Sequence, residues 1–154
     1  MGKRVIAAAQ CICVAGEHLH PGEDVVFSPG EGGVGVPIAG DHIALAVCAD
    51  FSHASHAKAA AQAGATVYAA SVLITDGGYL TDTALLAGYA AEHRMAVLMA
   101  NHGGPTGGWG SAGRSALWSE EGALVGAVEG VGDVLLVGKG AYGVWVTETI
   151  LMSV

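Results

Sequence analysis

The run His42-Ile-Ala-Leu-Ala-Val-Cys48-Ala-Asp50-Phe51, followed by Ser52-His-Ala-Ser-His-Ala-Lys-Ala-Ala-Ala-Gln-Ala-Gly64, constrains this chain more than any other stretch. Ile43 to Val47 is continuously apolar, as expected of a strand covered on both faces. Ser52 is placed to cap a helix that the alanines propagate, and Gly64 is placed to end it. A second apolar run, Thr66 to Ser71, follows. Strand, helix and strand within this span predict a βαβ unit, with parallel strands and a right-handed crossover. Cys48 then sits where the first strand stops, beside a helix N-terminus. Ligands collect at such strand ends. A helix N-terminus also favours the thiolate, the nucleophilic form. Packing is the ordinary role of a free cysteine, so the neighbourhood of Cys48 must carry any catalytic reading.

The bulk properties narrow the function classes. The 154 residues predict one domain, large enough for a real core. The chain is 52% hydrophobic, but the excess is Ala and Val spread along it, and no run is long enough to span a bilayer. Met1 to Gln10 opens somewhat like a signal peptide, yet Gln10 cuts its apolar part short, so it reads as a strand. A formal charge of -8 argues against nucleic acid or an anionic membrane as partner. Three cysteines, an odd number without an export signal, imply reduced thiols and a cytoplasmic location.

Taken in order, Lys3 to Val14 reads as a long strand with Cys11 and Cys13 on one face, where packing is the expectation. Ala15 to Gly40 is polar and punctuated by Gly and Pro, a loop leading into short strands, and such loops often carry function. His18 and His20 lie in it as solvated side chains, because no third metal ligand is near. His53 and His56, at i, i+3 on the central helix, fit either a metal or an exposed polar face. Thr81 to Arg94 carries an apolar helical stripe of Leu85, Leu86, Tyr89 and Ala90. Met95 to Asn101 reads as a third buried strand. Ser71 and Asn101 therefore stand at strand ends as Cys48 does, and the three outline a pocket edge. Arg114 to Trp118 and Ala123 to Val128 predict an antiparallel hairpin, with a further strand at Val134 to Val137. Residues 140–154 read as an apolar tail at a subunit contact.

These residues together resemble the carbon–nitrogen hydrolase (nitrilase/amidase) superfamily. Cys48-Ala-Asp50 with its Ala-rich helix resembles the nucleophile region. Ala91-Glu-His93, Asn101 with Gly103, Gly113-Arg-Ser-Ala-Leu-Trp118 and Glu121-Gly122 follow in the family's order. Upstream, Leu19-His-Pro-Gly-Glu23 with Phe27 and Gly30 resembles the segment before the nucleophile strand. The likeness runs from about Glu17 to Lys139.

The resemblance implies a partial α-β-β-α sandwich: a mixed sheet with a parallel βαβ core and helices on one face, the C-terminal half of the full fold in one truncated domain of residues 1–154. It implies that Cys48 is the nucleophile, that Glu23 is the second of the family's glutamates, and that Ala49 supplies an oxyanion-binding N–H. Asp50, Phe51, Ser71 and Asn101 would line the pocket. No cofactor and no metal are expected. The family's lysine falls at Gly16, and nothing before Gly16 is acidic, so the first glutamate has no counterpart. The implied activity is hydrolysis of an amide or nitrile of a small molecule through a cysteine thioester, either weak or dependent on groups from another chain, a complementary one or a further copy in a homo-oligomer. The alternative is a catalytically inactive binding or scaffolding module.

Overall fold

β3 (Asp41–Val47), α1 (Ala54–Gln62) and β4 (Val67–Val72) form the βαβ unit expected from the sequence. The computed structural model describes residues 4–7, 16–30, 35–38, 40–141 and 143–152. β3 and β4 run parallel, with Ile43 opposite Val67 and Val47 opposite Ser71. α2 (Tyr79–His93) leads to β5 (Ala96–Asn101), which adds a third parallel strand with Val72 opposite Asn101. This register brings the ends of all three strands to one edge of the sheet. Antiparallel strands then extend it: β6 (Ala116–Trp118) and β7 (Leu124–Ala127) beyond β5, and β2 (Val36–Ile38) beyond β3. A second, antiparallel sheet has the order β1-β8-β9, made of Arg4–Ala7, Val134–Ala141 and Val144–Leu151.

Two cores make three layers. One lies between the helices and the six-stranded sheet, where Ala46, Tyr68, Leu86, Tyr89, Met95 and Met99 are buried. The other lies between the sheets and holds Val67, Leu98, Leu117, Leu136 and Trp145. Burial on both faces explains why β5 reads as an unbroken apolar run rather than an alternating one. Gly138 allows the close approach of the sheets, since a Cβ there would lie 2.8 Å from Leu117 Cδ2. The expected mixed sheet with a parallel core and helices on one face is thus what forms.

The second sheet stops short of one end of the first. β9 packs on β7, and β8 meets β6 at Leu117. Beyond it the register sets Val36 against Ile43 and Ile38 against Asp41, so Val36, Ile38 and Leu45 share the face that the second sheet covers elsewhere. Their exposures are 42%, 52% and 55%. Among the described residues nothing closes this strip.

Several expectations need correcting or placing. Ser52 does not cap α1, which begins at Ala54 after His53. Its hydroxyl donates instead to the Ala49 carbonyl at 2.7 Å, closing a tight turn over Cys48–Ser52. Within the expected tail, Val144–Leu151 forms β9, paired along its length with β8. Of the expected strand Lys3 to Val14, Arg4–Ala7 is strand, and Cys11 and Cys13 lie outside the described residues. No described helix is long and apolar enough to cross a membrane.

Candidate active site

The chain leaves β3 at Val47 and turns at Cys48, whose φ of 45° lies in the left-handed region that non-glycine residues seldom adopt. Such strain costs on the order of 1–3 kcal/mol and persists where surrounding contacts over-determine it. Asp50 supplies those contacts. It is 2% exposed. Its Oδ2 accepts from the Val47 N–H at 2.9 Å, and its Oδ1 accepts from the His18 N–H at 2.8 Å. The same carboxylate therefore shapes the turn and ties the loop at residue 18 to it.

Histidines complete this clamp. His18 Nδ1 lies 3.2 Å from Asp50 Oδ1, and its ring stacks on His53 with centroids 3.9 Å apart. His56 is buried, with Nδ1 2.8 Å from the Tyr68 hydroxyl and Nε2 3.9 Å from Asp50 Oδ2. Of the two, His53 is exposed, as a polar helix face would have it, but His56 is not. His56 is drawn inward by a hydroxyl on β4 that no local pattern reveals. Among the described residues no group of three or more His, Cys, Asp or Glu side chains is disposed to hold a metal ion.

His20, read from the sequence as solvated, stands against the sulfur: its Nε2 lies 3.3 Å from Cys48 Sγ. A local signal for its fixed position was present in His20-Pro-Gly-Glu23. Gly22 adopts φ 92°, where a glycine is needed, and starts a 3-10 turn over Glu23–Val25. The Glu23 N–H donates to the His20 carbonyl at 3.0 Å, and Glu23 Oε2 accepts the His20 N–H at 2.8 Å. That reciprocal pair holds His20 in place.

Burial pushes the Cys48 thiol above its ordinary value of 9.0. Backbone N–H groups of Leu73 and Ala49 pull the other way, and the charges of Glu23 and Asp50 add to the rise. The expected lowering by a helix N-terminus does not occur. The five-residue turn separates the sulfur from α1, and desolvation of the thiolate outweighs two N–H groups. Leu73, on the segment after β4, was not singled out in the sequence.

Ala49 is buried and directs its N–H to the sulfur. Phe51 packs in the helix-side core, and its carbonyl accepts the Tyr89 hydroxyl at 3.0 Å. Ser71 is half-buried at the end of β4, opposite Val47. Asn101 is buried as a clamp: Oδ1 accepts the Ile74 N–H at 2.8 Å, and Nδ2 donates to the carbonyls of Ile74 at 3.0 Å and Gly113 at 2.7 Å. A cavity of about 350 Å³ lies beside Asn101, with Arg114, Ser115, Asp133 and Met152 among its walls, and neither Cys48 nor Glu23 lines it.

No family model and no curated protein matches the chain. Solved structures do. The chain is similar to an amidase from Nesterenkonia sp., at 29% identity and a TM-score of 0.71, over 82% of this chain and 48% of that one. A mutant of the Nesterenkonia AN1 amidase, described as from the nitrilase superfamily, aligns at 28% identity and a TM-score of 0.72 over the same shares, 82% and 48%. A further mutant, at 28% identity and a TM-score of 0.66, shows the acetamide moiety of fluoroacetamide added covalently at that amidase's active-site cysteine. The chain spans about half the length of these amidases, 48%. The parallel βαβ core and this shared architecture give the chain a partial nitrilase-like fold.

Proposed function

We propose that this chain hydrolyses a non-peptide carbon–nitrogen bond of a small amide or nitrile through a thioester on Cys48. The observation that carries this reading is the turn at Cys48. Its positive φ presents the sulfur at the sheet edge, with two backbone N–H groups directed to it. The sulfur would attack the amide carbon, the oxygen would gather negative charge, and the N–H groups of Ala49 and Leu73, which bear on the sulfur, would stabilise it. Ammonia or an amine leaves, and water releases the acid. Glu23 stands close enough for its charge to act on Cys48. Free Cys48 fits a reducing compartment such as the cytoplasm.

The test is mass spectrometry of the chain after incubation with acrylamide or an activated acetyl ester, with ammonia release from simple amides followed in parallel. An adduct mapped to Cys48, and loss of both signals in Cys48→Ala, is the expected result. An unmodified Cys48 would remove the reading.

A second reading, a binding module without turnover, has one observation in its favour. Gly16 occupies the position of the family's lysine, and a Cβ there would lie 2.8 Å from Asp50 Oδ2. Of the described lysines, Lys58 is exposed on α1 and Lys139 pairs with Glu148 on the second sheet. Binding of amides without adduct or ammonia would favour this reading.

The open strip of Val36, Ile38 and Leu45 supports a protein partner. A second chain, whether another copy or one carrying the rest of the amidase fold, would cover it.

A further inference from the structure

We propose that His20 is the proton acceptor and donor for Cys48, so that the two form a cysteine–histidine pair in place of the family's glutamate and lysine. This rests on Cys48 being the nucleophile. Of the described ionisable side chains around the sulfur, His20 is the one in contact, with Nε2 at 3.3 Å from Sγ. Glu23 bears on Cys48 by charge, yet its Oε2 is occupied by the His20 N–H. Asp50 is committed to Val47 and His18. His18 is turned to Asp50 and stacked on His53, away from the proton-transfer position. Glu23 is accordingly a positioning residue for His20.

Burial keeps the resting thiol protonated, so attack needs a base within hydrogen-bond reach. As Sγ attacks the amide carbon, the S–H proton passes to Nε2, a C–S bond forms and the C=O pair moves onto oxygen. When the C=O re-forms, the C–N bond breaks and Nε2–H gives its proton to the departing amine. Water then attacks the thioester carbon and delivers a proton to Nε2. The C–S bond breaks, and the sulfur takes that proton back. One water is consumed, and the products are an acid and an amine. Neither oxidant nor metal enters the balance.

The test follows the rate of Cys48 alkylation by iodoacetamide against pH, with adducts mapped by peptide mass, in the intact chain and in His20→Ala and His20→Gln. Acetyl transfer from p-nitrophenyl acetate is measured beside it, with Cys48→Ala as the control. His20 is exposed, and thermal melts establish that its variants stay folded. The expected wild-type profile has its inflection below the ordinary thiol range, because the proton has an acceptor in contact with the sulfur. In both His20 variants that inflection moves up towards the thiol range. Acetyl transfer at pH 7 falls by about 10² to 10⁴, and added imidazole partly restores it in His20→Ala. Identical alkylation profiles in wild type and variants, or no rescue by imidazole, would overturn the pair while leaving Cys48 as nucleophile. Undiminished acetyl transfer in Cys48→Ala would instead overturn the reading on which the pair depends. The alkylation profile still judges the pair if the ester is not turned over.

Discussion

Gly16 lies against the Asp50 carboxylate so closely that a Cβ on it would stand 2.8 Å from Oδ2 and 2.9 Å from Oδ1. The Val47 carbonyl closes a third side at 2.9 Å. The loop therefore has no space for a side chain at the position where the sequence resemblance would put the family's lysine. Gly16→Lys is expected to lose stability by roughly 1–3 kcal/mol, the usual cost of overpacking, and to gain no amide hydrolysis. Urea midpoints and ammonia release measure the two. A stable Gly16→Lys that hydrolyses amides faster would show that the loop has another seat.

Asp50 accepts two backbone N–H groups across a span of 32 residues and within its own turn. Asp50→Ala leaves both donors without this acceptor, and hydrogen bonds to a buried charge are worth about 1.5–3 kcal/mol each. A loss of roughly 3 kcal/mol is expected, with a smaller loss for Asp50→Asn, which keeps one acceptor oxygen. Because Asp50 also holds the Cys48 turn, the alkylation rate of Cys48 should change with it. A chemical denaturation series reads the first effect, and peptide mapping reads the second.

Asn101 belongs to the same account of buried polar groups. Its amide joins Ile74 to Gly113 through three hydrogen bonds. Asn101→Ala should lower stability by about 2–3 kcal/mol, because buried donors and acceptors are left unpaired. Asn101→Asp should be worse, since a carboxylate would face the carbonyls of Ile74 and Gly113. An unchanged urea midpoint for both variants would contradict the clamp.

Tyr68 provides a pH prediction whose sign is determined. Burial first, then the neighbouring Tyr89, Asp50 and Glu17, hold its phenol above the ordinary 10.0. The folded chain thus keeps a proton that the unfolded chain releases. Stability is unaffected by this group below about pH 10 and falls as pH rises beyond it, towards the folded value. Tyr68→Phe removes that part of the slope and also costs about 1 kcal/mol for the bond to His56. Melting temperatures of both proteins between pH 8 and pH 11 give the comparison. Parallel curves would refute it.

The open strip predicts association. Val36, Ile38 and Leu45 form one apolar face beside a sheet edge. The chain in solution should sediment heavier than a single 15.3 kDa molecule. The double variant Ile38→Lys, Leu45→Lys should sediment as one. A wild-type chain that stays monomeric at high concentration would count against this face as a contact.

Some of the molecule was legible before any coordinates. Met95 to Asn101 read as a buried strand because both its faces are covered; Ile43 to Val47 carried the same signal, yet Leu45 on one of its faces is left exposed. The stripe on α2 read as a helix because Leu86, Tyr89 and Ala90 turn to one side. β9 was harder. Only Trp145 along it is buried, so neither alternation nor an unbroken apolar run marks it as a strand. Ser52 looked like a cap because its type and place were right. Its hydroxyl was taken by the Ala49 carbonyl, a bond that exists only once the chain turns at Cys48.

The order of strands and helices, the parallel core and the place of Cys48 at a strand end follow from apolar runs and turn residues, which act over a few positions. The surroundings of that sulfur do not. His20 reaches it across 28 positions and His18 reaches Asp50 across 32, while Leu73 arrives from the segment after β4. No local pattern reports such meetings, because a loop side chain is aimed by the hydrogen bonds that hold its backbone against the rest of the fold. The sign of the thiol's shift was hidden for the same reason, since it depends on how much protein is packed around the sulfur.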